Sequence, residues 1–223
     1  MPKVIFKFDK EKDLFNVWET CNEGSSYGFD FRKNMDPKTI SICENKKFED
    51  VKNTLAKKFE KIYSSKIMLI LLESINKAWK EINDEYFKRL EKIMKKPVYK
   101  NLFTGYLTLS NKCPYMLKED AFYFNFFRSI METLRTAGHE IMHLQFHNTY
   151  WKNIEKEIGN KKTHDLKEAL TVLLNLEFRD LWFVEDNGYE IHKELRNFIA
   201  DEWKKEKDFE ILLQKCVEYL KNK

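Results

Sequence analysis

Glycine and proline are scarce in this chain, six and four in 223 residues, which leaves little room for flexible linkers, periodic glycine repeats or low-complexity disorder. The four cysteines, Cys21, Cys43, Cys113 and Cys216, are widely spaced and form no C-x-x-C pair. That excludes a zinc knuckle and a small disulfide scaffold, and makes a reducing cytoplasm the expected location. Cys113 reads as a buried thiol rather than a ligand or blocker of a metal. No long hydrophobic run is present: the longest, Ile67 to Leu72, is far short of a membrane span, and the first ten residues lack the apolar stretch of a secretory signal. Charge of one sign is also missing, with 40 basic residues against 36 acidic ones and no block of five or six like charges. Neither nucleic acid nor a membrane is therefore expected among the partners.

What is present belongs to a folded, helix-rich α+β chain, with 43% hydrophobic and 15% aromatic residues. Alternation over residues 3 to 8 predicts a strand, followed by a Gly/Ser-rich turn at Glu23 to Gly28 and a short strand at Thr39 to Cys43. From Phe48 to about Lys96 the pattern is lysine-rich and helical, and Pro97 ends it. Trp79, Tyr86, Leu90 and Met94 form one stripe there, expected to pack as core. Residues 101 to 110 and 121 to 127 alternate with period two and suit an antiparallel pair. Helices are expected at 129 to 151, from 163 to about Val184, and, past an E-D-N-G turn, over about Tyr189 to Lys205 and Lys207 to Leu220. The chain divides into residues 1–96 and 97–223, or forms one continuous domain.

One segment specifies chemistry. In T-A-G-H-E-I-M-H-L-Q, Thr136 to Gln145, two histidines stand four residues apart with a glutamate directly after the first. Positions i and i+4 share a helix face, so His139 and His143 can offer imidazole nitrogens to one metal ion with Glu140 beside it. Glu132, Thr136, His139, Glu140, His143 and His147 fall in one polar arc, while most of the remaining circumference is apolar. Such a helix is buried, and its polar arc must face a cleft or a partner. Gly138 costs the helix roughly 1 kcal/mol relative to alanine, which predicts that something packs closely against the backbone there. His147 lies two helical turns from His139, too far to share its ion without strain.

These ten residues resemble the zincin metallopeptidases, in which uncharged residues surround His-Glu-x-x-His; only Gln145 departs from that pattern. The glycine and third histidine that the metzincin subclass needs downstream are missing. The resemblance is therefore to the gluzincins, and it implies a zincin-like fold, with a small antiparallel sheet beside the active-site helix and further helices around it. It also implies a Zn²⁺ cofactor and a third ligand from a glutamate on a following helix. Glu168 in T-H-D-L-K-E-A-L is the candidate, with Glu177 or His164 as fallbacks. Two features oppose it: Asp165 and Glu168 have the spacing of a capping box, and Val172 stands where the resembled pattern carries an aspartate. His147 and Asn175 are candidates to support the ligands. By the same resemblance, a sheet-edge strand carrying Tyr123, Asn125 and Phe127 binds an extended peptide, and Tyr189 or His192 stabilises the oxyanion. The expectation is a zinc-dependent hydrolase acting on a peptide or protein, with Glu140 as general base. The alternative is a non-catalytic zincin-like binding or regulatory protein acting through its helical surface.

Overall fold

A computed structural model describes residues 1–23 and 25–223. The chain opens with strand β1 (Lys3–Lys7), whose burial alternates, and helix α1 (Lys10–Glu23). The expected turn at Glu23 to Gly28 includes Gly24, outside the described residues. The rest of it leads through a two-stranded hairpin, β2 (Ser25–Ser26) and β3 (Phe29–Asp30), with Tyr27 and Gly28 at positive φ.

The strand expected at Thr39 to Cys43 is instead the end of a helix, α2 (Pro37–Cys43). Asp36 caps it by accepting from the Lys38 amide, and Pro37 supplies a helical φ at the first position. These start signals override the β-branched residues Thr39, Ile40 and Ile42, whose spacing alone suits a strand. Helices α3 (Phe48–Tyr63) and α4 (Lys66–Met94) follow, and the stripe Trp79, Tyr86, Leu90 and Met94 is buried as core.

Three further strands, β4 (Leu102–Thr108), β5 (Tyr115–Met116) and β6 (Ala121–Asn125), join β1 in a sheet of order β1-β4-β6-β5. The sheet is mixed. β1 and β6 both run parallel to β4, and only β5 is antiparallel to its neighbour β6. Residues 101 to 110 and 121 to 127 therefore pair in the opposite sense to the expected one. The short turn at Leu117–Glu119 makes β5 the hairpin partner of β6, so β6 meets β4 on its other side with Tyr106 opposite Tyr123.

Helix α5 (Ile130–Thr149) lies against this sheet with α4. Then come α6 (Trp151–Leu170), α7 (Val172–Glu177), α8 (Arg179–Trp182), α9 (Lys193–Lys205) and α10 (Phe209–Lys221). The helix expected from 163 to Val184 is thus broken into three, at Thr171 and Phe178. The main core unites one sheet face, through Val4, Phe6, Phe103, Leu107, Phe122 and Phe124, with α4, α5 and the C-terminal helices. A smaller core of Leu14, Val17, Val51, Leu55 and Leu109 joins α1 and α3 to the end of β4. Each such aliphatic or aromatic side chain contributes about 1.5–3 kcal/mol when fully buried.

The density of packing around α5 shows at Gly138. A Cβ there would lie 2.7 Å and 2.9 Å from two ring atoms of Trp182, and the Gly138 carbonyl accepts from the Tyr86 hydroxyl at 2.7 Å. Trp182 is fully buried and stacked on Phe178. Only a residue without a side chain lets this cluster close on the helix one position before His139.

Candidate metal centre

Ser129 starts α5 by accepting from the Glu132 amide while the Glu132 carboxylate accepts from the Ser129 amide. From that start the helix turns His139, Glu140 and His143 into a cleft of about 1050 Å³, whose walls include Tyr27, Cys113, Tyr115, Asn125, Lys167, Glu168, Asp186 and Tyr189. The opposing helix α6 changes direction at Gly159, which has φ 78° and ψ 166°, a conformation that glycine adopts at no steric cost. The segment beyond this kink carries Glu168 to the histidines. Asp165 lies inside α6 and does not cap it, so the capping-box account of Glu168 does not hold.

His139, His143 and Glu168 each bring one donor atom within 4.8 Å of the others. Glu168 Oε2 lies 3.2 Å from His143 Nε2 and 3.7 Å from His139 Nε2, and Glu140 Oε1 lies 3.9 Å from His139 Nε2. Two imidazole nitrogens and one carboxylate oxygen form a donor set that suits zinc and leaves a position for water. His143, Glu140 and Glu168 are all buried.

The second oxygen of Glu168 is held by Lys167, whose Nζ lies 2.8 Å from Oε1. Lys167 is itself buried, with its ammonium 4.7 Å from the centre of the Tyr115 ring. Burial opposes the charge of Glu168, but His143, His139 and Lys167 together hold its carboxyl well below the usual range. For Glu140 burial wins: together with the Glu168 charge it raises the carboxyl to about 7, against the opposing charges of His139 and Lys167.

The two histidines are driven apart. His139 Nδ1 donates to Asp186 Oδ2 at 2.7 Å, which leaves Nε2 facing Glu168. Burial would lower its pKa, yet the charge and hydrogen bond of Asp186, with Glu168 and Glu140 behind them, raise it to about 10. Burial and then the Lys167 charge push His143 down to about 3. Three carboxylates around one imidazole call for positive charge at that point, and a metal ion at Nε2 meets the same demand as a proton.

Asp186 is the residue that sequence reasoning missed. It sits in the E-D-N-G stretch, which reads as an ordinary turn, yet it is buried to 1% exposure. Arg135 Nη1 reaches Oδ2 at 3.2 Å, Arg196 Nη2 reaches Oδ1 at 3.3 Å, and the Thr171 hydroxyl donates to Oδ1. Asn175 brackets its backbone, donating to the Asp186 carbonyl and accepting from its amide. Asn175 therefore hydrogen-bonds Asp186 and not His139, His143 or Glu168 directly. Val172 stands where the resembled pattern has an aspartate, and the carboxylate that contacts His139 comes instead from the loop carrying Asp186.

Comparison with protein-family models, with curated proteins and with solved structures finds no match. The residues themselves must carry the reading.

The other candidates fall on either side of the cleft wall. Tyr189 lines the cleft and packs on Tyr27, and burial raises its hydroxyl strongly, with Glu168 and Glu140 adding to the effect. His192 does not line it; its ring is buried with Nε2 3.0 Å from Asp165 Oδ1. His147 stacks on Trp151 at 4.4 Å between ring centres and has no hydrogen bond to Glu168 or His143 among the described residues. Glu177 accepts from Trp203 and Lys207, away from the cleft, and His164 reaches the cleft wall but packs its ring against Trp151.

The strand expected to bind peptide is displaced. β6 lies inside the sheet with all five residues buried, and the free edge belongs to β5. Asn125 does face the cleft, but Tyr123 donates its hydroxyl to the Lys12 carbonyl and Phe127 lies beyond the strand, 66% exposed. The physical reason is the hairpin turn, which places Tyr115 and Met116 outside β6 and brings the Tyr115 ring to 5.7 Å from that of His143. Cys113, also on this wall, is half-buried, and burial with the nearby Glu140 charge pushes its thiol up to about 12.

Proposed function

We propose that this protein is a zinc-dependent peptidase of the gluzincin type, with His139, His143 and Glu168 as metal ligands and Glu140 as general base. The single observation that carries the reading is the convergence of those three donor atoms within 4.8 Å, with the Glu140 carboxylate next to them in a cleft open to solvent. When bound, zinc supplies a Lewis acid and a water of lowered pKa.

The chain supplies the rest. Asp186 fixes the His139 tautomer so that Nε2 points inward, and Lys167 occupies the Glu168 oxygen that faces away from the histidines. Glu140 takes a proton from the attacking water and returns it to the leaving amine. Tyr189, which lines the same cleft, donates its hydroxyl to the developing oxyanion in this reading. A peptide adds as a strand to the free edge of β5, along Tyr115 and Met116, with its scissile carbonyl directed at the centre.

The test is the zinc-to-protein ratio of untagged protein purified without chelator, read by elemental mass spectrometry, followed by hydrolysis of a mixed peptide library. A ratio near one is expected, together with cleavage that Glu140→Gln abolishes while zinc stays bound. A ratio near zero that added zinc cannot raise ends the metalloenzyme reading. Zinc binding with undiminished cleavage by Glu140→Gln removes Glu140 from its role.

A further inference from the structure

The first turns of α4 present a surface that neither the core nor the cleft explains. Ile67, Met68, Leu69, Ile70, Leu71 and Leu72 make the helix apolar around its whole circumference, yet Met68 alone is buried. Ile67, Leu69 and Ile70 are 65%, 62% and 60% exposed. Single exposed apolar residues are ordinary on a protein surface, but three exposed aliphatics within about one turn at a helix tip, with half-buried Leu71 and Leu72 behind them, form a contiguous patch that calls for a partner.

The charges at the same tip indicate which partner. Lys57 and Lys61 in the last turns of α3, and Lys66 at the start of α4, are exposed and have no ion pair among the described residues. The carboxylates there are Glu73, which is exposed, and Glu60, which is 3.4 Å from Lys10. Apolar side chains on a helical hairpin tip, ringed by unpaired lysines, match the interface of an anionic bilayer: the aliphatics enter the acyl boundary and the lysines meet the headgroups. A second copy of this chain fits poorly, because a two-fold contact between identical patches would set these lysines against each other.

Against the expectation drawn from the even overall charge, we infer that the α3–α4 tip docks this protein on the surface of an anionic lipid bilayer. No helix among the described residues is long and apolar enough to cross a membrane, so the contact is peripheral. The geometry leaves the cleft free. The Asn76 side chain of α4 bonds both the amide and the carbonyl of Phe6, which ties this helix to β1, at the edge of the sheet opposite to β5 and the metal centre.

The experiment is flotation of the full chain with vesicles of phosphatidylcholine alone and of phosphatidylcholine mixed with phosphatidylserine, at low and at high salt. Binding to the mixed vesicles is expected, weakened by salt and absent with phosphatidylcholine alone. Ile67→Ser with Ile70→Ser should lower the partition coefficient at least about tenfold, and Lys61→Glu with Lys66→Glu by about tenfold or more, at unchanged circular dichroism. All four positions are exposed, so neither pair should disturb the fold. Failure to bind either vesicle, or binding that both variant pairs leave intact, overturns the inference. So does a concentration-dependent dimer in sedimentation velocity that Ile70→Ser dissolves without vesicles present.

Discussion

Replacing Gly138 by alanine sets two effects of known sign against each other. In an exposed helix the change gains roughly 1 kcal/mol, because alanine loses less backbone entropy than glycine. Here the new methyl would meet two Trp182 ring atoms at 2.7 Å and 2.9 Å and a Tyr86 ring atom at 3.1 Å. Neither ring can swing away: Trp182 is stacked on Phe178, and Tyr86 is fully buried with its hydroxyl on the Gly138 carbonyl. Overpacking of a rigid core costs about 1–3 kcal/mol, and overlap with an immobile indole belongs in the upper half of that range. The net expectation is a destabilisation of about 1–2 kcal/mol, or roughly a 2–8 °C fall in Tm for a chain of this size. Urea denaturation followed by circular dichroism measures it. A variant as stable as the parent, or more so, would show that the aromatic wedge behind α5 is looser than these distances require. Because His139 is the next residue, the parent and variant should also differ in zinc affinity if the wedge positions that ligand.

Asp186→Asn keeps the size of the side chain but removes the charge that orients His139, and a loss of about 10–100-fold in zinc affinity is expected in competition with a chromophoric chelator; equal affinities would remove Asp186 from the centre. Asp13, buried among Tyr63, Thr108 and the Leu109 amide, has its carboxyl raised by burial from 3.8 to about 6, although those three donors oppose the shift. Its folded form holds a proton that the unfolded chain has released, so stability is highest below about pH 4 for this group and falls as pH rises through about 6. The stability of the parent relative to Asp13→Asn should accordingly drop by about 2 kcal/mol between pH 4 and pH 7, and a difference independent of pH would contradict the shift. Thiol titration of the native protein should find no fast-reacting cysteine at neutral pH, since Cys21, Cys43 and Cys216 are buried and Cys113 is pushed up to about 12, whereas the denatured chain should titrate four.

The pair His139 and His143 with Glu140 was readable in one dimension because all three sit within five residues of a single helix, where periodicity alone decides which side chains share a face. The core stripe of α4 is legible for the same reason. Glu168 was nameable only through a resemblance, since sequence spacing does not say that Gly159 turns α6 back toward α5. Its rival account as a capping residue was equally consistent with local pattern, and only the position of Asp165 inside the helix removed it.

Strand positions followed from alternation, but strand partners did not. Period two says that residues 121 to 125 form a strand and nothing about which neighbour they meet or in which direction, so β6 became an interior strand and passed the free edge to Tyr115 and Met116. At Thr39 to Cys43 a cap and a proline outweighed β-branched residues, a local competition whose outcome depends on geometry at Asp36. Asp186 marks the limit most clearly. It reaches His139 across 47 residues of chain, and its place depends on Thr171, just before α7, on Asn175 in α7 and on Arg196 from α9. By itself, then, the sequence determined most of the helices, the buried stripes and the helix-borne pair of histidines, because each depends on contacts between near neighbours. The tertiary structure alone decided strand order, the third donor and the carboxylate behind the first, because those depend on which distant segments the packing of the core brings together.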